Sequence, residues 1–280
     1  MDLNTRYGLE FNPFIKNSAD IIVSFKEYNE AVARLNYILS VKGFGLLTGT
    51  PGKGKSTAVR IWSKGLNPSL YKVVYTPLAN LSDAEFYRNM ATIIGLEPKS
   101  RKHENIDAIK EEIERLYSEN RKTPVFIIDE ADSIRSSTLS DLKVLFNFEM
   151  DSRDKAVVIL VGTTKLNSML NYSVHEAMRQ RIIMNFNIEG MSKDETRQYV
   201  LDKLKGAGCI KDVFAPEALE AITNYSEGAP RMVNRICNAC LNVGNAEGSQ
   251  IITAETVRKV HEELILSVPI KCGYTFNSKS

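Results

Sequence analysis

The 280-residue sequence predicts an α/β domain built on a parallel five-stranded sheet, followed by a small all-helical domain. Three observations carry that expectation. Five short strand-like runs alternate with amphipathic stretches, several of the runs are apolar without interruption, and the runs stop after about Gly190. Uninterrupted segments such as "VFII" and "VVILV" suit strands buried on both faces, hence parallel strands joined by helical crossovers.

In chain order, residues 1–27 read as an irregular segment punctuated by "NPF" at 12–14. An α/β core is expected over 28–189. It opens with a helix in which Tyr28, Val32, Leu35 and Leu39 recur at helical spacing. Strands follow at 44–49, 71–77, 124–131, 156–163 and 181–188. Between them lie helical stretches, among them "NIDAIKEEIERLYSEN", where Ile106, Ile109, Ile113 and Leu116 draw one stripe. A helical lid domain is expected over 190–265, with helices at 192–205, 215–226, 229–245 and 253–265. Ser192 and Thr253 suit the N-caps of the first and last of these. Residues 266–280 read as a tail.

Composition narrows the class. Hydrophobic content of 43% and charged content of 25% are those of a soluble globular protein. A net charge of +2 offers no global basic field, so any nucleic-acid surface must be local. No apolar run reaches the ~20 residues that span a bilayer, and the N-terminus lacks the pattern of a signal peptide. The expectation is a cytoplasmic protein with no membrane partner. Cys237 and Cys240 form a C-x-x-C, but they sit three apart on a helical stretch with no second ligand pair nearby. They read as buried structural thiols.

The chemistry concentrates in five elements. "GTPGKGKST" (49–57) satisfies G-x-x-x-x-G-K-[ST] between a strand and a helix, the context this phosphate-binding loop requires. Gly49, Thr50, Pro51, Gly52, Lys53, Gly54, Lys55, Ser56 and Thr57 are the nucleotide-binding candidates. Backbone N–H groups curl around phosphates at the positive end of the next helix. Lys55 bridges phosphate oxygens and Ser56 holds Mg²⁺. In "VFIIDEAD", Asp129 is a candidate Mg²⁺ ligand and Glu130 a candidate to orient the attacking water; Asp132 reads as facing solvent or capping the next helix. Thr163, just past the strand "VVILV", would lie between these two sites and sense the terminal phosphate, with Thr164 in reserve; a plain turn threonine is the alternative. Arg179 and Arg181 precede the fifth strand and could act on a neighbouring subunit's nucleotide, or be surface ion-pair arginines. Arg231 falls in the first turn of a lid helix, from which it could reach back to the nucleotide.

With these residues in place the chain resembles the AAA+ ATPases over nearly its whole length. "GTPGKGKST", "IIDEAD", "VGTT", "MRQRI" and "GAPRMVNRI" are similar, in order, to Walker A, Walker B, sensor 1, the arginine-finger region and sensor 2. The resemblance implies a P-loop AAA+ three-layer fold, ATP and Mg²⁺ as cofactors, catalytic roles for Glu130, Asp129, Lys55, Arg179 and Arg181, and a homo-oligomer, ring or helical filament. Within AAA+, "YGLEFNPF" and "MRQRI" resemble the ExeA/GspA branch, whose uses include secretion and DNA transposition. A short chain without a membrane span is most like the MuB, TnsC and TniB helpers of transposition.

That resemblance implies an ATPase, slow until stimulated, that assembles on duplex DNA through sequence-independent backbone contacts and recruits or activates a transposase. Hydrolysis then drives disassembly. "EPKSRKHEN" offers Lys99, Arg101, Lys102 and His103 as phosphate contacts, and Arg135 and Lys143 form a second candidate group; a merely solvated basic loop is the alternative. The competing expectations are a secretion-associated ATPase and a replication initiator or helicase loader. Initiators usually append a winged helix, which a fifteen-residue tail cannot form. A small-molecule kinase would leave the lid and Arg231 without a task.

Overall fold

The computed structural model describes residues 2–16, 21–77, 81–149 and 152–266. The chain divides into two compact units, Phe25–Glu189 and the described parts of Met1–Ser24 with Gly190–Ser280.

In the first unit, five parallel strands run β1 (Gly43–Gly49), β2 (Tyr71–Pro77), β3 (Thr123–Asp129), β4 (Val157–Val161) and β5 (Ile182–Ile188), in the order β2-β3-β4-β1-β5. Side chains of successive strand residues point to opposite faces, and both faces are covered. Leu47, Val125, Ile127, Val157, Ile159 and Val161 pack with Leu35, Ile38, Val59 and Trp62 of α2 (Lys26–Val41) and α3 (Lys55–Lys64). Leu46, Phe126, Ile128, Val158 and Leu160 pack with α4 (Asp83–Ile94), α5 (Lys102–Ser118) and α6 (Ser136–Leu145) through residues such as Met90, Ile109, Ile113 and Leu142. Burying each such aliphatic side chain is worth about 1.5–3 kcal/mol, which is why the uninterrupted apolar runs were legible as central strands.

Two strands are shorter than their apolar runs. The third ends at Asp129 because Glu130 turns into the left-handed region, at φ 58° and ψ 34°. The fourth ends at Val161, where the chain enters α7 (Thr164–Leu170), then α8 (Glu176–Gln180). These two helices have seven and five residues, too few to establish a readable period.

The second unit holds α9 (Lys193–Gly206), α10 (Pro216–Ser226), α11 (Pro230–Glu247) and α12 (Ala254–Leu266). Ser192 and Glu195 form a reciprocal capping box at α9, and Pro216 and Pro230 open α10 and α11, where a missing N–H costs nothing. Cys237 and Cys240 are fully buried in this core, and burial pushes both thiols up, Cys240 to about 12. They are reduced structural thiols here, with no metal-holding cluster among the described residues. The N-terminal segment is not irregular throughout. Leu3–Tyr7 forms a helix, α1, with Tyr7, Leu9 and Phe14 buried, and Phe14 meets Phe214 edge-on at 6.5 Å. Its scattered apolar residues have no repeat, and only the partner helices reveal their use. Residues 267–280, most of the expected tail, lie outside the described residues.

Candidate functional site

All five strands are parallel, so Gly49, Asp129 and the end of β4 share one edge of the sheet. At Gly49 a side chain would collide with the Ile188 carbonyl of the neighbouring strand. Gly54, at φ 103°, is the N-cap of α3, a conformation that costs a β-carbon-bearing residue about 1–2 kcal/mol. The loop between them therefore closes tightly onto the N-terminus of α3, where unpaired N–H groups favour anions. Lys55 is 9% exposed, and its Nζ donates to the Gly49 and Thr50 carbonyls at 2.7 and 3.0 Å. Ser56 and Thr57 are exposed in the first turn.

Asp129 is 8% exposed, and both its oxygens have donors. Oδ1 accepts the Glu130 N–H at 2.9 Å, and Oδ2 accepts the Tyr75 hydroxyl at 3.0 Å. Burial, and then the Asp129 charge, push the Tyr75 phenol up to about 12, so it stays a donor across ordinary pH. Sequence reasoning missed Tyr75. Its reach depends on register, Tyr75 opposite Ile127, which puts Asp129 diagonally across from it. Glu130 is exposed, on strained backbone; such outliers cluster at functional sites.

Thr163 lies just beyond β4, which is flanked by β1 and β3. It is the N-cap of α7, yet its side chain makes no capping bond, and its Oγ1 is buried without a partner among the described residues. Its N–H donates to Asp132 Oδ1 at 2.9 Å. Asp132 is thus half-buried and tied to the residue that follows β4 by two; of the two readings given for it, facing solvent or capping the next helix, neither describes this tie across the sheet edge. Farther along α7, Asn167 donates to Thr48 Oγ1 at 3.0 Å, and Thr48 donates to Asn187 Oδ1 at 3.2 Å. This chain of bonds was also missed, because its members lie far apart in sequence, in β1, α7 and β5. Thr164 is exposed in the first turn of α7.

The two arginines before β5 differ. Arg181 donates to the Lys143 carbonyl at 2.6 Å and the Phe146 carbonyl at 3.0 Å, stacks 5.3 Å from the Phe44 ring centre, and has a side chain only 13% exposed. It holds the C-terminal end of α6, so the outward-reaching role expected for it does not fit. Arg179 is exposed, with one long bond to the Asn171 carbonyl at 3.4 Å.

The basic candidates divide similarly. Lys102 pairs with Asp141, and Arg135 lies 4.0 Å from Asp83; Lys143 is half-buried. Lys99, Arg101 and His103 are exposed near or in the first turn of α5. Arg231 is exposed in the first turn of α11, directly after Pro230.

Comparison with known proteins agrees with this arrangement. The family described as AAA domain matches residues 38–170. The fold is the P-loop AAA+ α/β fold. General secretion pathway protein A of Aeromonas hydrophila is 29% identical over 250 residues, which cover 88% of this chain. The match spans 45% of that protein, so this chain corresponds to less than half of its relative's length. Among solved structures, Cdc6p from Pyrobaculum aerophilum aligns with TM-score 0.69 at 18% identity, covering 90% of this chain and 70% of that one. Drosophila ORC bound to DNA aligns with TM-score 0.69 at 16% identity, covering 94% and 66%. At such identities the likeness shows the fold alone.

The residues suit a nucleoside triphosphate with Mg²⁺. The loop ends at the N-terminus of α3, whose N–H groups favour anions, Thr163 Oγ1 is a buried hydroxyl without a partner among the described residues at the same edge, and Ser56 with Asp129 supply hard oxygen donors. Among the described residues no helix is long and apolar enough to cross a membrane.

Proposed function

We propose that this chain binds Mg²⁺-ATP at the sheet edge and hydrolyses it to ADP and phosphate. The observation that carries the reading is the convergence of the loop 49–54, Asp129 and the unpartnered Thr163 hydroxyl on one edge of a parallel sheet. On this reading Thr50, Pro51, Gly52 and Lys53 present the loop's backbone to the phosphates. Lys55 exchanges the Gly49 and Thr50 carbonyls for phosphate oxygens. Ser56 and Asp129 would hold Mg²⁺, which offsets phosphate charge when bound. Glu130 orients and deprotonates water, and Thr163 donates to the terminal phosphate. Arg179 serves a neighbouring copy's nucleotide, and Arg231 acts from the helical unit. Lys55→Ala is expected to abolish binding of a fluorescent ATP analogue, and Glu130→Gln to retain binding while hydrolysis collapses. Retained hydrolysis in Glu130→Gln would refute the assignment.

We further propose that ATP controls assembly of this chain on duplex DNA and that the assembly recruits or activates a transposase. The motif resemblance and the exposed Lys99 and Arg101 support the reading; the pairing of Lys102 and Arg135 with acids reduces the cation supply for it. A second reading, an ATPase serving secretion, is favoured by the match to General secretion pathway protein A. Sedimentation with ATP and Mg²⁺, with and without random-sequence duplex, separates them. DNA-dependent rings or filaments that vanish with ADP support the first. Absence of DNA association at low salt supports the second.

A further inference from the structure

Asp132 follows Glu130 by two residues, in the 3-10 turn Ala131–Ser133. Its Oδ1 takes the Thr163 N–H across the gap between the ends of β3 and β4. Two independent features surround that bond. Gly162 supplies the room, since a β-carbon there would stand 2.9 Å from Asp132 Oδ1 and 3.1 Å from Asp132 N. Thr163, though an N-cap, forgoes the bond a cap threonine ordinarily makes to its own helix, leaving Oγ1 buried and unspent. One turn farther along α7, Asn167 is held on Thr48, one residue before Gly49. Thr163 is therefore clamped between the strand that carries Asp129 and the strand that feeds the phosphate loop.

We infer that Asp132 is a positioning residue that fixes Thr163 for the terminal phosphate, so that discrimination of ATP from ADP depends on this carboxylate. The inference rests on the nucleotide reading above and deepens it. A charge-assisted hydrogen bond that a carboxylate accepts from a backbone N–H is stronger than a neutral one, and it acts on a residue whose buried hydroxyl has no partner among the described residues. Thr76 near the end of β2 also has such a hydroxyl but no comparable tie to the acids beyond β3. The Asp132 turn also contains the backbone that follows Glu130, so the group beside the attacking water and the group on the terminal phosphate share one rigid connection.

The test measures equilibrium affinities of the full chain for fluorescent ADP and a fluorescent non-hydrolysable triphosphate with Mg²⁺. In Asp132→Ala the preference for triphosphate is expected to fall about tenfold, with ADP affinity unchanged within about twofold. Asp132→Asn, whose amide oxygen accepts the same N–H, is expected to rescue most of the preference. Hydrogen exchange at the Thr163 amide is expected to speed up in Asp132→Ala without nucleotide. Should Asp132→Ala unfold, Gly162→Ala offers a second route, intruding on the carboxylate without removing it, and the same loss is expected. Equal weakening of both nucleotides in Asp132→Ala would reduce the residue to a structural role and overturn the inference. An unchanged preference in Asp132→Ala, with the preference lost in Thr163→Val, would overturn it while leaving the nucleotide reading intact. An unchanged preference in Thr163→Val would overturn the inference and the terminal-phosphate role of Thr163 while nucleotide binding stands, and no nucleotide binding by the wild type would remove both.

Discussion

The edge of the sheet and the outer face formed by α4, α5 and α6 both gather charged and hydroxylated side chains, but they treat them differently. On the helical face the pairs are closed. Asp83 accepts Ser137 and Thr138, Lys102 meets Asp141, Lys155 is gripped by Glu114 and Glu149, and Arg181 is spent on two carbonyls. At the sheet edge two side chains are held differently. Thr163 keeps a buried hydroxyl without a partner among the described residues, and Glu130 is exposed on strained backbone. Closed pairs fasten elements together; groups held in place with bonding capacity left over are what a ligand can engage.

The largest expected difference between the two regions is in catalysis. Glu130→Gln is expected to slow ATP hydrolysis by about a hundredfold or more with little change in unfolding temperature, whereas Asp83→Asn should leave the rate near wild type. A steady-state phosphate-release assay on both decides it. The two arginines sharpen the contrast. Arg181→Ala strands the Lys143 and Phe146 carbonyls and is expected to cost about 1–3 kcal/mol, read as a lower denaturation midpoint. Arg179→Ala should leave that midpoint unmoved and depress hydrolysis. Equal effects of the two in both assays would break the distinction.

Smaller effects follow at Asp129 and Asp83. Tyr75→Phe removes one donor from Asp129 and is expected to raise the Mg²⁺ concentration needed for nucleotide binding about tenfold, the lower end of the worth of one hydrogen bond to a charged group. Titration of nucleotide fluorescence with Mg²⁺ reads this out. Burial works to raise the Asp83 pKa, but hydrogen bonds from Ser137 and Thr138, with the Lys102 and Arg135 charges, hold it below its ordinary value. Stability from a depressed carboxylate is present above its unfolded pKa and is lost as pH falls through the folded one. Asp83→Asn is therefore expected to flatten the loss of stability below about pH 4; denaturant midpoints across that range would show a parallel decline if Asp83 carried none of it.

Much of the fold was legible because parallel central strands are apolar at nearly every position, and the tight turn before α3 because glycine at 49 and 54 marks backbone that a side chain would obstruct or strain. The helices α1, α7 and α8 were missed for the opposite reason: short elements held by contacts elsewhere carry no period of their own. Asp132 read as a solvent-facing or helix-capping acid because its partner is thirty-one residues away in sequence. Arg179 and Arg181 looked equivalent because spacing says nothing about which guanidinium the end of α6 will claim.

Chain composition and local pattern were sufficient for the α/β class, the helical region after Gly190, the turn between β1 and α3, and the placing of Asp129 and Glu130 at the end of β3. These depend on hydrophobic period and on backbone geometry within a few residues. Strand order, and the register that sets Tyr75 on Asp129, came only with the folded sheet, as did the tie from Asp132 to Thr163 and the different fates of the two arginines. Each of these is a contact between segments whose proximity the packed core decides, and a side chain's chemistry there depends on which neighbours desolvate it and which leave a bond to be made.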